Sequence, residues 1–334
     1  MAIQFQVLGG PGRDNALLAE VHTGDAVHRL LFDCGEDCLT QVPISVVHQI
    51  RAVCFSHFHI DHIAGFDSFF RHNYSRPDQP VRLVGPEGAT DVLAHRFRGF
   101  TWNMVDDAPG EYHVTEIIPP RRVTHAFLTK ERFAIAHLLE DAPFDGCVWE
   151  EADFRVEARV LDHGLPCLAY LLRESPRWNF DLQAVTQRGL KPGPWMRAVR
   201  SEEPSPDQTV VIEGVEHRLA DLRERFLVET PGESIAYLTD FRLDAAAEDR
   251  LVAWLAGCTT MVCENNFRNA DRSLAESSYH MVSADVARLA ARVNPRRLVL
   301  FHVSDRYTSE ELREQLEEVR AEFPRAEFPA FWNI

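Results

Sequence analysis

Apolar residues gather in ten short runs along this chain, at 3–8, 16–21, 29–32, 51–55, 81–84, 154–161, 167–172, 234–238, 260–263 and 297–301. Their length and their content of Val, Ile, Leu and Phe predict β-strands. Four longer segments, 89–97, 245–255, 283–293 and 310–323, carry the apolar spacing of amphipathic helices. Thr308, with Glu311 three residues on, predicts a capping box at the start of the last one. Gly257 and Pro295 follow the second and third as stop signals. The pattern is that of a mixed α/β chain, without a repeat of domain-building length or a low-complexity tract.

The segment 173–231 breaks this pattern. It holds Pro176, Pro192, Pro194, Pro204, Pro206 and Pro231 and only short apolar stretches, so it reads as an inserted arm rather than core. Between 173 and 200, six basic residues (Arg173, Arg177, Arg188, Lys191, Arg197, Arg200) outnumber Glu174 and Asp181, with Trp178 and Trp195 interleaved. Two readings fit this stretch. One is a solvated loop anchored by two tryptophans; the other is a projecting surface that contacts an anionic polymer.

Composition narrows the class. The chain has 334 residues, 45% hydrophobic and 26% charged, which suits one large globular domain or two modest ones and excludes general disorder. No apolar run approaches the length of a membrane-spanning helix. The first ten residues lack the basic start and apolar stretch of a secretory signal. A net charge of −16 argues against indiscriminate binding to nucleic acid or anionic membrane, and leaves a local basic surface open. Seven cysteines (Cys34, Cys38, Cys54, Cys147, Cys167, Cys258, Cys263), an odd number with no Cys-x-x-Cys pair, read as small buried hydrophobes in a reducing cytoplasm.

Five of the strand-like runs end in a residue that binds metal or moves a proton. The run 51–55 leads into Ser56-His57-Phe58-His59-Ile60-Asp61-His62, 154–161 into Asp162-His163, 234–238 into Thr239-Asp240, 260–263 into Glu264, and 297–301 into His302. In open α/β sheets, strand ends are where sites assemble. Imidazole and carboxylate together suit zinc and similar ions. A tight loop points His57 and His59 to one ion and Asp61 and His62 to a neighbour, with His163, Asp240 and His302 available as further ligands. Asp240 is the best candidate for a carboxylate shared between two ions. Such a pair activates water for displacement at phosphorus. The leaving oxygen then needs a proton, and His280, with Glu264 to orient it, is placed for that by sequence order. Taken alone, His280 is an ordinary loop histidine. Gly9-Gly10-Pro11-Gly12 reads as a simple turn after a strand.

Ser56-His57-Phe58-His59-Ile60-Asp61-His62 resembles the signature of the metallo-β-lactamase superfamily, and other stretches are similar to the ribonuclease Z family, endonucleases that trim the 3′ end of precursor tRNA. These stretches are Leu31-Phe32-Asp33-Cys34-Gly35-Glu36 before the metal loop, Gly189-Leu190-Lys191-Pro192-Gly193-Pro194 in the arm, Tyr279-His280, and 298–307 around His302. The chain departs from the family's usual pattern at Asp37-Cys38, Thr239 and Phe241, and 100–150 is poorly covered. The resemblance implies an αββα sandwich over 1–334, a single domain with an inserted arm at 173–231, two zinc ions (manganese or iron can substitute) and a homodimer. It implies His57, His59 and His163 on one ion, Asp61, His62 and His302 on the other, and Asp240 shared. It further implies that Asp61 handles the proton of the attacking water and that His280, supported by Glu264, assists the leaving group. The arm residues Arg177, Lys191, Gly193, Pro194 and Arg197 would bind the RNA. Two other functions remain open: a hydrolase on the same scaffold for a small phosphodiester, thioester or lactone, and a non-catalytic RNA-binding homologue.

Overall fold

The structure, a computed structural model, describes residues 3–23, 26–200 and 208–334; Pro204 and Pro206 of the Pro-rich segment lie outside the described residues. The chain divides into two compact units, one formed by 1–173 with 233–334 and the other by 174–232.

The larger unit is built on two sheets. The first has eight strands in sequence order, Ile3–Leu8, Ala16–His22, Val27–Phe32, Ile50–Cys54, Val81–Pro86, Glu111–Ile118, Arg121–Leu128 and His137–Pro143. The second has seven, in the order Ala326–Glu327, Arg297–Phe301, Thr260–Glu264, Ser234–Leu238, Pro166–Glu174, Phe154–Asp162 and Cys147–Glu150. All ten predicted runs are strands. Four further strands lie in 100–150, where the sequence pattern predicted none.

Why the apolar runs are nearly continuous follows from the layering. Leu30 and Phe32 pack inward against the other sheet, whereas Leu31 packs outward; Ala52 and Cys54 alternate with Val53 and Phe55 in the same way. In the second sheet, Ile235 and Tyr237 face inward while Ala236 and Leu238 face outward. Strands covered on both faces need apolar residues at both parities. The outer face of the first sheet buries Phe66, Phe69, Phe70, Leu93 and Phe97 from the helices Phe66–Asn73 and Ala89–Arg98. That of the second buries Leu251, Val286, Leu289 and Leu316 from Ala245–Trp254, Ser283–Val293 and Ser309–Arg320. The result is an αββα sandwich. The predicted capping box is present, with the Thr308 hydroxyl accepting from Glu311 N and the Glu311 carboxylate accepting from Thr308 N.

The strands that carry the site run parallel: Phe32 pairs with Cys54 in one sheet, and Leu238 with Cys263 and Cys263 with Leu300 in the other. Parallel neighbours end at one edge of their sheet, so the residues that follow them collect there. The core ties the two edges together. The Phe32 ring lies 5.4 Å from that of Tyr170 and 5.7 Å from that of Tyr237. The two phenols donate to Phe55 O and Asp33 Oδ2 at 2.7 and 2.8 Å. Burying each such ring contributes about 1.5–3 kcal/mol, so the site is fixed to a fully buried part of the core.

The 174–232 unit has its own core of Val185, Trp195, Val199, Ile212, Leu219, Leu222, Phe226 and Leu227. Its described residues hold three helices, Leu182–Gln187, Trp195–Arg200 and Leu219–Phe226, and two small antiparallel sheets. Of the two tryptophans, Trp195 is buried and its indole donates to Lys191 O, while Trp178 is half exposed. No helix among the described residues is long and apolar enough to cross a membrane.

Candidate metal centre

Three strand ends enter the site through backbone in the left-handed region: Asp33 (φ 57°), Asp240 (φ 51°) and His302 (φ 48°). Asp and His tolerate this conformation better than most residues, and it turns each side chain off the strand line toward the site. Close approach of backbone completes the frame. A Cβ on Gly35 would lie 2.5 Å from Asp61 O, and one on Gly65 would lie 2.1 Å from Gly35 O, so only glycine lets the 33–36 turn seat against the metal loop. Cys34 N donates to His62 O, and Gly65 N to Cys34 O, both at 2.9 Å.

The His-x-His-x-Asp-His loop begins as irregular chain after Cys54 and closes into a single helical turn, Ile60–Ile63, with His59 at its N-cap. It sends its side chains two ways. His57, His59, His163 and Asp240 offer ligand atoms all within 4.8 Å of one another, and so do Asp61, His62, Asp240 and His302. Asp240 belongs to both groups. Its Oδ2 lies 3.3 Å from His62 Nε2, 3.7 Å from His57 Nε2 and 3.7 Å from His163 Nε2, while its Oδ1 lies 3.4 Å from His302 Nε2. Asp61 Oδ2 sits 3.2 Å from His62 Nε2 and 3.4 Å from His302 Nε2. His59 is exposed and Asp61 half exposed, so the centre opens on this side.

The donor atoms suit a metal. The Nε2 atoms of His57 and His62 are buried and make no well-aligned hydrogen bond, although carboxylate oxygens of Asp61 and Asp240 lie 3.2 and 3.3 Å from that of His62. A buried nitrogen left unpaired costs about 1–3 kcal/mol, and a cation bound there would relieve both. On the far side of the rings, Nδ1 is held. His62 Nδ1 lies 2.7 Å from Asp33 Oδ2, His163 Nδ1 lies 3.1 Å from Tyr279 O, and His57 Nδ1 lies 3.1 Å from Ser56 Oγ. Fixing Nδ1 sets the tautomer and would aim Nε2 at a bound ion.

Asp33 is the residue that sequence reasoning did not single out. It is fully buried and accepts from Ser56 N (2.6 Å), Ser56 Oγ (2.7 Å) and Tyr237 OH (2.8 Å) besides facing His62. The signal was present: Asp33 ends the run 29–32 just as Asp240 ends 234–238. Asn15 was missed too; its Oδ1 accepts from His302 N at 3.0 Å.

Charge and burial set the protonation pattern. Burial pushes the His57 imidazole down to about 2. Burial also opposes charge on His62, but Asp240 and Asp33 raise it well above the ordinary value. Asp240 is held well below the usual carboxylate range against its burial, by His302 and His62. Beside this cluster, His280 Nδ1 lies 2.7 Å from Glu264 Oε2, and its ring lies 4.9 Å from that of His163 and 5.7 Å from that of His302. Burial disfavours the imidazolium, yet Glu264 lifts it to about 9. Glu264 is fully buried, and its other oxygen accepts from Phe241 N at 2.9 Å.

The proposed RNA-binding residues lie in the 174–232 unit. Arg177 is paired with Glu174 at 2.7 Å; Lys191 is exposed, with Nζ 3.9 Å from Glu213. Gly193 and Pro194 lead into the helix Trp195–Arg200, on which Arg197 is exposed. All seven cysteines are free, and six are buried.

The Beta-lactamase superfamily domain matches residues 28–145 and 207–303. Among solved structures, the metallo-β-lactamase fold protein YhfI from Bacillus subtilis aligns with TM-score 0.56 at 15% identity, covering 98% of this chain and 96% of its own. The short form of human tRNase Z aligns with TM-score 0.51 at 16% identity, covering 92% and 94%. In sequence, ribonuclease Z of Deinococcus radiodurans is 40% identical over 98% of this chain and 97% of its own length. Ribonuclease Z of Prochlorococcus marinus is 30% identical over 83% and 77%. The chain therefore belongs to the ribonuclease Z family, metal-dependent hydrolases on the metallo-β-lactamase fold.

Proposed function

We propose that this centre takes two divalent ions, zinc by ligand type, and hydrolyses the phosphodiester that joins a 3′ trailer to a precursor tRNA. The observation that carries this reading is Asp240, whose two oxygens lie 3.3–3.7 Å from the Nε2 atoms of four histidines. A carboxylate so placed suits a ligand shared by two ions. His57, His59 and His163 would complete one ion and Asp61, His62 and His302 the other.

Bound there, paired ions lower the pKa of water and offset the charge of an in-line displacement at phosphorus. Asp61, at the open side, receives the proton of the attacking water. His280, its ring held by Glu264, passes a proton to the leaving 3′ oxygen. The water oxygen joins phosphorus as the bond to the 3′ oxygen breaks. The tRNA keeps a 3′-hydroxyl and the trailer a 5′-phosphate.

Residues 173–231 form the arm of a single metallo-β-lactamase-like domain in this reading. Arg177, Lys191, Gly193, Pro194 and Arg197 grip the tRNA body away from the cut. The free thiols suit the cytoplasm, and the working form is a homodimer. Incubation with a 3′-extended tRNA transcript tests the activity. Chelator-sensitive cleavage at the mature 3′ end is expected; intact transcript with the zinc-loaded protein would refute it.

A further inference from the structure

The three loops that bring His163, Asp240 and His280 to the site are joined at their outer side by a chain of contacts that does not touch the ligand atoms. The Arg242 guanidinium donates to Asp162 Oδ2 at 2.8 Å, and Arg242 N donates to Asp162 O at 2.9 Å. The same Asp162 accepts from Gly164 N at 2.9 Å through Oδ1, closing the turn that carries His163. Arg242 also lies over the Tyr279 ring, 5.3 Å from its centroid. That ring is packed against Gly164, where a Cβ would come within 3.1 Å of it. Tyr279 itself sits at φ 58°, a conformation that bulky residues rarely adopt. The contacts on its ring are what hold it there.

What this conformation achieves is visible at the backbone. The Tyr279 carbonyl lies 3.1 Å from His163 Nδ1, and the next residue is His280. The His163 ring packs 6.4 Å from the Tyr279 ring and 4.9 Å from the His280 ring. One strained residue therefore serves both neighbours. Its carbonyl fixes the His163 tautomer, with Nε2 turned toward Asp240, and its chain direction sets His280.

We infer that Tyr279, clamped by Arg242 and Gly164, is a positioning residue that couples the orientation of His163 to the placement of His280. The inference rests on the proposed role of His163 as a metal ligand. Removing the ring frees the backbone at 279 to leave the left-handed region. The carbonyl then swings off Nδ1, and His163 and His280 lose their alignment together.

The test compares the wild type with Tyr279→Phe, Tyr279→Ala and Arg242→Ala. Arg242 is half exposed, so its removal leaves the fold intact if Tyr279→Ala does not fold. Zinc binding is titrated and the His163 Nδ1–H resonance is followed by NMR in the metal-loaded and metal-free proteins. Expected are two ions and a protected N–H resonance in the wild type and in Tyr279→Phe. In Tyr279→Ala and Arg242→Ala the resonance broadens. One ion binds roughly 10–100-fold more weakly, the usual effect of losing a group that orients a ligand. On a small model diester, kcat falls in both while KM stays within about twofold. Two tightly bound ions and an unchanged resonance in both variants would overturn the coupling and leave the metal centre standing. A wild type that binds no divalent ion would overturn the metal reading itself.

Discussion

Asp33 Oδ2 lies 2.7 Å from His62 Nδ1, and the opposite nitrogen of that ring faces Asp240 Oδ2 at 3.3 Å. The carboxylate thus orients His62 from behind while holding the loop through Ser56 and the second sheet through Tyr237. Asp33→Asn keeps the shape but puts N–H groups where donors already point. We expect zinc affinity to fall about 10–100-fold and stability to drop by about 1–3 kcal/mol. Metal titration and urea unfolding measure the two effects.

The buried Nε2 atoms of His57 and His62 make the folded state a better receptor for cations than the unfolded chain. Chelation is therefore expected to lower the melting temperature. Free zinc at a thousand times Kd stabilises by about 4 kcal/mol for one site. His57→Ala takes a ligand from one of the two proposed ions, so it should reduce the zinc-dependent shift and lower activity. Differential scanning calorimetry with and without zinc reads both.

The Glu264–His280 pair gives a signed pH dependence in the metal-free protein. With a folded value of about 9 against the ordinary 6.5, the pair stabilises fully below pH 6.5 and loses that stabilisation as pH rises through about 9. NMR titration of the metal-free protein should find the His280 ring changing charge near 9. In Glu264→Gln, the largest raising influence is gone, and the transition should move down from about 9.

The arm can be excised cleanly because its ends meet. Arg173 pairs with Ser234 in antiparallel strands, so a two-residue Asn-Gly turn can replace 174–233. The larger unit keeps its cores and its ligands. We expect retained hydrolysis of a small model diester and loss of binding to tRNA of at least about 10-fold, since the positive charges that meet phosphate go with the arm. Filter binding and a diester assay separate the two.

The histidine and carboxylate cluster was legible because its residues follow strands whose apolar runs are continuous, as at 51–55 before His57 and 297–301 before His302. Buried strands announce themselves, and a ligand after each stands out. The strand His137–Pro143 announced nothing: it lies at a sheet edge with every residue partly or fully exposed, so no apolar period marks it. Glu111–Ile118 does bury Tyr112, Val114 and Ile117, but Thr115 and Glu116 break the alternation. The helix Phe66–Asn73 buries Phe66, Phe69, Phe70 and Asn73 at helical spacing within only eight residues, too short a window to separate from chance. In the arm, prolines masked the periodic Leu219, Leu222 and Phe226 of a folded unit.

Anomalous diffraction at the zinc edge, from crystals of the zinc-loaded protein, tests the central claim most directly. Two peaks about 3.5–4 Å apart are expected, one against His57, His59 and His163, the other against Asp61, His62 and His302, with Asp240 touching both. A map with no peak among these seven side chains, or one only at the protein surface, would contradict it.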